Sequence, residues 1–269
     1  MPIDMRELAD DLTAETTALR EMVAGLDEAA WRMPTPAEGW TVADQISHLA
    51  FFDEAGLKAM VEPEAFAHEA AQAMARAGDP MQEHLDRGRA MDGAGLLEWW
   101  DRAHQGMVQS FAVADPAARI PWYGPPMGVL SFVSARLMET WAHGQDIADA
   151  LGRRRVATDR LRHVAHLGVR ARPFSYLARG MDVPEGRIDV TLEAPSGGQW
   201  TWELGTSDQG GTAAIAGPAL DFCLVVTQRG NVADTALEIS GDNAIEWMSI
   251  AQAFAGPPGP GRPARGHDA

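Results

Sequence analysis

Residues 135–152 read ARLMETWAHGQDIADALG, and this run sets the class of the chain. Extended back to residue 128, it places Leu130, Val133, Leu137, Trp141 and Ile147 mostly at three- and four-residue steps. That is the period of a helix with one apolar face. Gly152 closes the run as a C′ residue, where a chain leaves a helix through left-handed backbone. Glu139 and His143 lie four residues apart inside it. On a helix this spacing brings both side chains onto one face about 6 Å apart, so a carboxylate and an imidazole can share one metal ion.

Working upstream, residues 5–27 repeat the pattern with Leu8, Leu12, Leu19, Met22 and Leu26. MPTPAEGW (33–40) is a turn. Thr41 then reads as an N-cap, with Asp44 standing in for the usual Glu or Gln of a capping box. The helix it starts carries Val42, Ile46, Leu49 and Phe52 and runs to about Met60, with Pro63 interrupting it. A short helix is expected at 64–77, a long one at 91–113, a loop at PWYGPPM (121–127) and a helix at 157–170. Downstream the texture changes. RIDVTLEA (187–194) and QWTWEL (199–204) alternate at period two around Pro-Ser-Gly-Gly, which predicts a hairpin. Residues 212–217 and 236–240 read as further strands, and 218–228 and 242–254 as helices. The expected architecture is an all-α bundle of four long helices plus short ones over 1–172, a smaller α+β domain over 173–255, and a Gly/Pro-rich tail, 256–269, whose end is disordered.

Composition narrows the function classes. The 269 residues are 46% apolar, enough for a substantial core, and contain no apolar run long enough to span a membrane. The start, MPIDMRELADDL, lacks the basic and apolar regions of a secretory signal. With 38 acidic against 22 basic residues the net charge is −16, and no basic stripe is visible, so a nucleic-acid partner is not expected. A single cysteine, Cys223, excludes an internal disulfide framework and fits a reducing cytoplasm. It lies in the apolar ALDFCLVV and reads as a small buried hydrophobe.

Of eight histidines, His48 in DQISHLAFF is the one whose helix, if it packs beside the later one, adds a third ligand to Glu139 and His143. Two His and one carboxylate suit Zn²⁺, Fe²⁺ or Mn²⁺ and leave a coordination position open, as catalytic sites do. Spacing alone leaves the plainer reading standing: a Glu–His pair at i, i+4 on a surface, and a lone packed histidine. Asp44 and Asp146 are placed either to accept an imidazole N–H or, respectively, to cap a helix and to pair with an arginine. Trp122 and Tyr123 either line a pocket mouth or cover the end of the bundle. His163 and His166 read as packed residues. Arg170, Arg172 and Arg229 are candidates for binding an acidic group.

The strings GWTVADQISHLA (39–50) and METWAHGQD (138–146) resemble the DinB-like superfamily, and within it the N-terminal domain of mycothiol-dependent maleylpyruvate isomerase. The resemblance implies a divalent metal, typically Zn²⁺, on His48, Glu139 and His143. GPALDFCLVVTQRG (217–230) with LEISGD (237–242) resembles the isomerase's sterol-carrier-like (SCP2-like) C-terminal domain. There the resemblance implies a catalytic part for Arg229. PWYGPPM, ARLMETWAHGQDIADALG, VAHLGVRARPFSY (164–176) and QAFAGPPGPGR (252–262) also resemble a bacterial group of metal-binding proteins whose C-terminal region carries a wyosine-formation label. That last string implies that 256–262 is docked. The function implied is a metal-dependent isomerase or S-transferase using mycothiol or another low-molecular-weight thiol on a small acidic or electrophilic substrate, with Trp122 and Tyr123 as cofactor-binding candidates. The alternatives are a metal-dependent hydrolase or a metal- or acyl-ligand-binding protein without turnover. A homodimer is left open.

Overall fold

The side chain of Thr41 accepts the Asp44 backbone N–H at 3.3 Å, and the Asp44 carboxylate accepts the Thr41 N–H at 2.8 Å. This reciprocal cap satisfies amides that a first helical turn leaves open. It starts the helix on which the first unit is organised. The computed structural model describes residues 4–76, 82–206 and 213–266. Residue 77 of the helix expected at 64–77, residue 212 of the strand expected at 212–217, and the final 267–269 lie outside these ranges.

Two compact units divide the chain, Met1–Arg155 and Val156–Ala269. In the first, four long helices form a bundle: α1 (Met5–Val23), α3 (Val42–Val61), α6 (Gly93–Phe111) and α7 (Val129–Ala150). α3 packs on α6 and α7, and α1 completes the ring against the same two helices. The predicted apolar faces meet in the middle, where Leu8, Leu12, Leu19, Ile46, Leu49, Leu96, Trp100 and Leu137 are fully buried. Each such side chain stabilises the fold by roughly 1.5–3 kcal/mol relative to exposure. Shorter elements cover the bundle: α2 (Glu28–Trp31), α4 (Pro63–Ala75), α5 (Gln82–Arg89) and a ribbon of β1 (Arg119–Ile120) with β2 (Met127–Gly128). The sequence reading omits α5, because QEHLDRGR has no apolar period. α5 is held by contact instead: Gly88 lies so close to α3 that a Cβ there would sit 1.7 Å from Ser47 Oγ.

The second unit contains α8 (Leu161–Arg170), α9 (Arg172–Leu177), β3 (Ile188–Glu193), β4 (Gln199–Leu204), β5 (Ala213–Pro218), α10 (Ala219–Val226), β6 (Glu238–Ser240) and α11 (Asp242–Ile250). The sheet order is β4-β3-β5-β6. β3 and β4 form the expected hairpin, β3 and β5 run parallel, and β6 closes the other edge antiparallel to β5. The period-two reading is visible in β3, where Ile188, Val190 and Leu192 are buried and the residues between them are not.

The helical bundle followed by a smaller α+β part matches the expected fold class. The division, expected near residue 172, falls after Arg155. Its cause is the apolar face of α8: Leu161, Val164, Ala165 and Val169 are buried, and α8 packs on α10. At their contact a Cβ on Gly168 would lie 2.7 Å from Val226. Residues 259, 262 and 265 of the tail are tied to the rest of the second unit, in keeping with the docking that QAFAGPPGPGR implies for 256–262. Arg179 donates to the Gly259 carbonyl, Asn231 to that of Arg262, and the Arg265 N–H to Asp234. Among the described residues no helix is long and apolar enough to cross a membrane.

Candidate metal centre

α3 and α7 each offer one turn to the same spot. On α7, His143 Nε2 lies 3.1 Å from Glu139 Oε2. On α3, His48 Nε2 lies 3.9 Å from the same oxygen. One ligand atom from each of the three residues falls within 4.8 Å of the other two. The side chains of His48, Glu139 and His143 are 15%, 21% and 8% exposed, so the site is enclosed but not sealed.

Hydrogen bonding decides which nitrogen His143 offers. The Trp40 carbonyl can only accept, and it takes the Thr35 hydroxyl proton at 3.0 Å. Thr35 Oγ1 then accepts from Gln45 Nε2 at 2.8 Å. This orients the Gln45 amide so that its Oε1 faces His143 Nδ1, which must donate. His143 Nε2 is left with its lone pair toward the Glu139 carboxylate. Two acceptors at that separation repel unless a cation lies between them, either a second ring proton or a metal ion. An imidazole whose other N–H is held by an oxygen is the usual arrangement of a metal-bound histidine. The donor set of two imidazoles and a carboxylate fits a divalent ion of the Zn²⁺ type with an open position.

Aromatic rings surround the three residues. Trp40 stacks on His143 at 5.7 Å and 10°, and Phe52 approaches His48 at 4.5 Å. His84 of α5 lies 5.5 Å from His48, ring to ring. Trp122 and Tyr123, in the loop between β1 and β2, meet this wall through Phe52 at 5.9 and 5.8 Å. They also pack on Phe66, at 5.6 and 5.3 Å between ring centroids. Burial, and secondarily the charge of Glu69, pushes the Tyr123 hydroxyl up to about 12.

The remaining candidates separate. Asp44 is a capping residue: its oxygens hold Thr41 and Arg89, the latter at 2.8 Å. Asp146 is buried on α7, and the His143 N–H, for which it was a candidate acceptor, goes to Gln45. The sequence reading passes over Gln45, although its position three residues before His48 puts it on the same helix face. It also passes over His84, whose approach is purely tertiary. In the second unit Arg229 donates to the Thr227 carbonyl at 2.7 Å and lies over the Phe254 ring. His166 accepts from the Trp202 indole at 3.1 Å. Burial, then Arg170, lowers its pKa, in keeping with a packed neutral ring. Burial raises the Cys223 thiol pKa far above its ordinary value, which suits a core residue rather than a nucleophile.

The chain is similar to known proteins. Residues 12–148 match the family model of the mycothiol maleylpyruvate isomerase N-terminal domain. Two Mycobacterium tuberculosis sequences, "Uncharacterized protein MT0041" (strain CDC 1551 / Oshkosh) and "Uncharacterized protein Rv0036c" (strain ATCC 25618 / H37Rv), are each 43% identical over 253 residues, covering 94% of this chain and 96% of the relative. Crystal structures of the mycothiol-dependent maleylpyruvate isomerase and of a histidine-to-alanine mutant of it match with a TM-score of 0.58, covering 90% of this chain and 94% of theirs. At 16% and 15% identity that likeness is one of fold. With about half of its length matched by the family model, this chain belongs to the mycothiol maleylpyruvate isomerase N-terminal domain family.

Proposed function

We propose that His48, Glu139 and His143 hold a divalent metal ion, Zn²⁺ in the first instance, and that the protein uses it for thiol chemistry. The reaction would be a mycothiol-type isomerisation or S-transfer on a small acidic or electrophilic substrate. One observation carries the metal: His143 Nε2 and Glu139 Oε2 face each other at 3.1 Å as two acceptors, with Nδ1 already engaged by Gln45. Membership of a family named for mycothiol supports a thiol over water as the activated group. When bound, such an ion lowers the pKa of a thiol at its open position, so that the nucleophile exists at neutral pH.

The chain's own residues would share the remaining work. Gln45 holds the His143 tautomer. Trp40 and Phe52 flank the imidazoles and limit water. Trp122 and Tyr123, behind Phe52, would contact the thiol cofactor, with the Tyr123 hydroxyl neutral beside it. Arg229 would anchor a substrate carboxylate. A low-molecular-weight thiol cofactor suits a reducing cytoplasm.

Elemental analysis tests the first step. The wild type is expected to carry about one ion per chain, and His143→Ala a small fraction of that. Equal stoichiometry in both refutes the site. Thermal shift with mycothiol and other small thiols tests the second step. A thiol at 100 times its Kd stabilises by about 2.7 kcal/mol. No shift with any thiol, beside a strong shift with an acyl-CoA compound, would favour a carrier without turnover.

A further inference from the structure

One ionic cluster lies in the interior of the first unit, apart from the three candidate ligands. Asp53 on α3 is 1% exposed and Arg136 on α7 is 3% exposed. Arg136 Nε donates to Asp53 Oδ1 at 3.0 Å, and Arg136 Nη2 donates to the Leu49 carbonyl at 3.3 Å. The other carboxylate oxygen accepts from the Trp100 indole at 3.2 Å and lies 3.5 Å from His104 Nδ1. The guanidinium fork therefore grips α3 at two points, one of them the residue next to His48. On its own helix Arg136 stands three residues before Glu139.

Stability does not explain this pair. Taking two charges out of water costs several kcal/mol per ion, and a well-packed apolar pair of similar volume is often as stable or more so. The neighbouring layer is largely apolar, with Leu49, Trp100, Phe132 and Leu137 buried, and an apolar pair would leave only the Trp100 indole, His104 and the Leu49 carbonyl without their present partners. What apolar side chains do not supply is a single axial register. They tolerate small slips, whereas a slip of one residue moves a helix by about 1.5 Å. Metal–ligand distances tolerate only about 0.2 Å. The candidate metal centre is built across α3 and α7, the same two helices that Arg136 joins.

We propose that Arg136 and Asp53 are positioning residues that fix the axial register of α3 against α7, and so bring His48 within coordinating distance of Glu139 and His143. This rests on the reading of those three residues as a metal site. It goes beyond that reading by assigning the site's precision to a buried ion pair outside the three candidate ligands.

Two full-length variants test it, with Co²⁺ as the probe, titrated against a chelator and followed by its visible absorption. Arg136→Lys keeps the charge and loses the fork. The double variant Arg136→Met with Asp53→Leu replaces the pair by apolar residues of similar size. Leu12→Ala, a cavity variant in α1, sets the loss that plain destabilisation produces. Both clamp variants are expected to fold by circular dichroism, to bind Co²⁺ roughly tenfold or more weakly, and to show an altered absorption band, while Leu12→Ala keeps the wild-type affinity and band. A merely structural pair predicts the reverse for the double variant, with restored packing bringing back wild-type binding. Wild-type affinity and spectrum in a folded clamp variant overturns the inference, and so does a loss in Leu12→Ala as large as theirs. If the double variant does not fold, Arg136→Lys decides alone. A wild type that binds no Co²⁺ refutes the metal site itself, and the clamp with it, a result distinct from tight binding in every variant.

Discussion

At the scale of single residues, Gln45 has the most specific consequence. Its amide is held by Thr35, and Thr35 by the Trp40 carbonyl, so the chain of donors has one direction and ends on His143 Nδ1. Gln45→Leu keeps the volume and removes the acceptor. Metal affinity is expected to fall on the order of 10–100-fold, read by chelator competition. Unchanged affinity would show that the tautomer is set elsewhere. The pairing of Glu139 with His143 was legible because helical spacing is a short-range signal, and His48 was singled out by its local string. Gln45 was not, because its role depends on a loop that comes ten residues earlier in the chain and folds back over it. Asp44 was the more obvious candidate by charge. Its position at the third residue of the helix binds it to the cap instead, and Arg89 takes what remains.

At the scale of elements, the joint between α3 and α7 predicts a pH dependence. Burial pushes the Asp53 carboxyl up, but the Arg136 charge, and then His104, outweigh it and hold Asp53 below its usual value. A carboxylate with a lowered folded pKa contributes stability that is present above the unfolded value of about 3.9 and is lost as pH falls through the folded one. Asp53→Asn leaves Arg136 buried without its partner, at a cost of about 3–5 kcal/mol at neutral pH. The gap in Tm between wild type and variant should narrow below about pH 4, and a constant gap down to pH 3 would contradict the assignment. The long helices themselves were readable from period and caps, with ends displaced by a few residues. α5 and α9 were not, since each is short and owes its place to contacts rather than to an apolar stripe.

At the scale of the whole molecule, the chain forms two units, and Arg229, proposed to bind a substrate carboxylate, belongs to the second. Arg229→Ala is expected to leave the metal content unchanged and to raise KM for an acidic substrate by roughly tenfold or more, the loss of about one charge-assisted hydrogen bond. Unchanged turnover and KM would rule out substrate binding by Arg229. The compact units meet after Arg155, so α8 belongs to the second. Helical texture continues through α8 and gives no local sign of which unit that helix joins. Its partner, α10, lies about fifty residues further along the chain.

By itself the sequence determined what depends on short range. The bundle helices, the capping box at Thr41, the hairpin alternation, and the pairing of Glu139 with His143 on one face all follow from periods of 3.6 or 2 residues and from backbone groups close by in the chain. Only the tertiary structure decided what depends on which faces meet. His48 was brought to the other two across α3 and α7, Gln45 was set against His143 in place of Asp146, β3 was set parallel to β5, and Arg136 was paired with Asp53. The physical reason is the same in each case: a contact between segments far apart in sequence leaves no period to read, and its partner is selected only when the burial of the apolar faces sets the register.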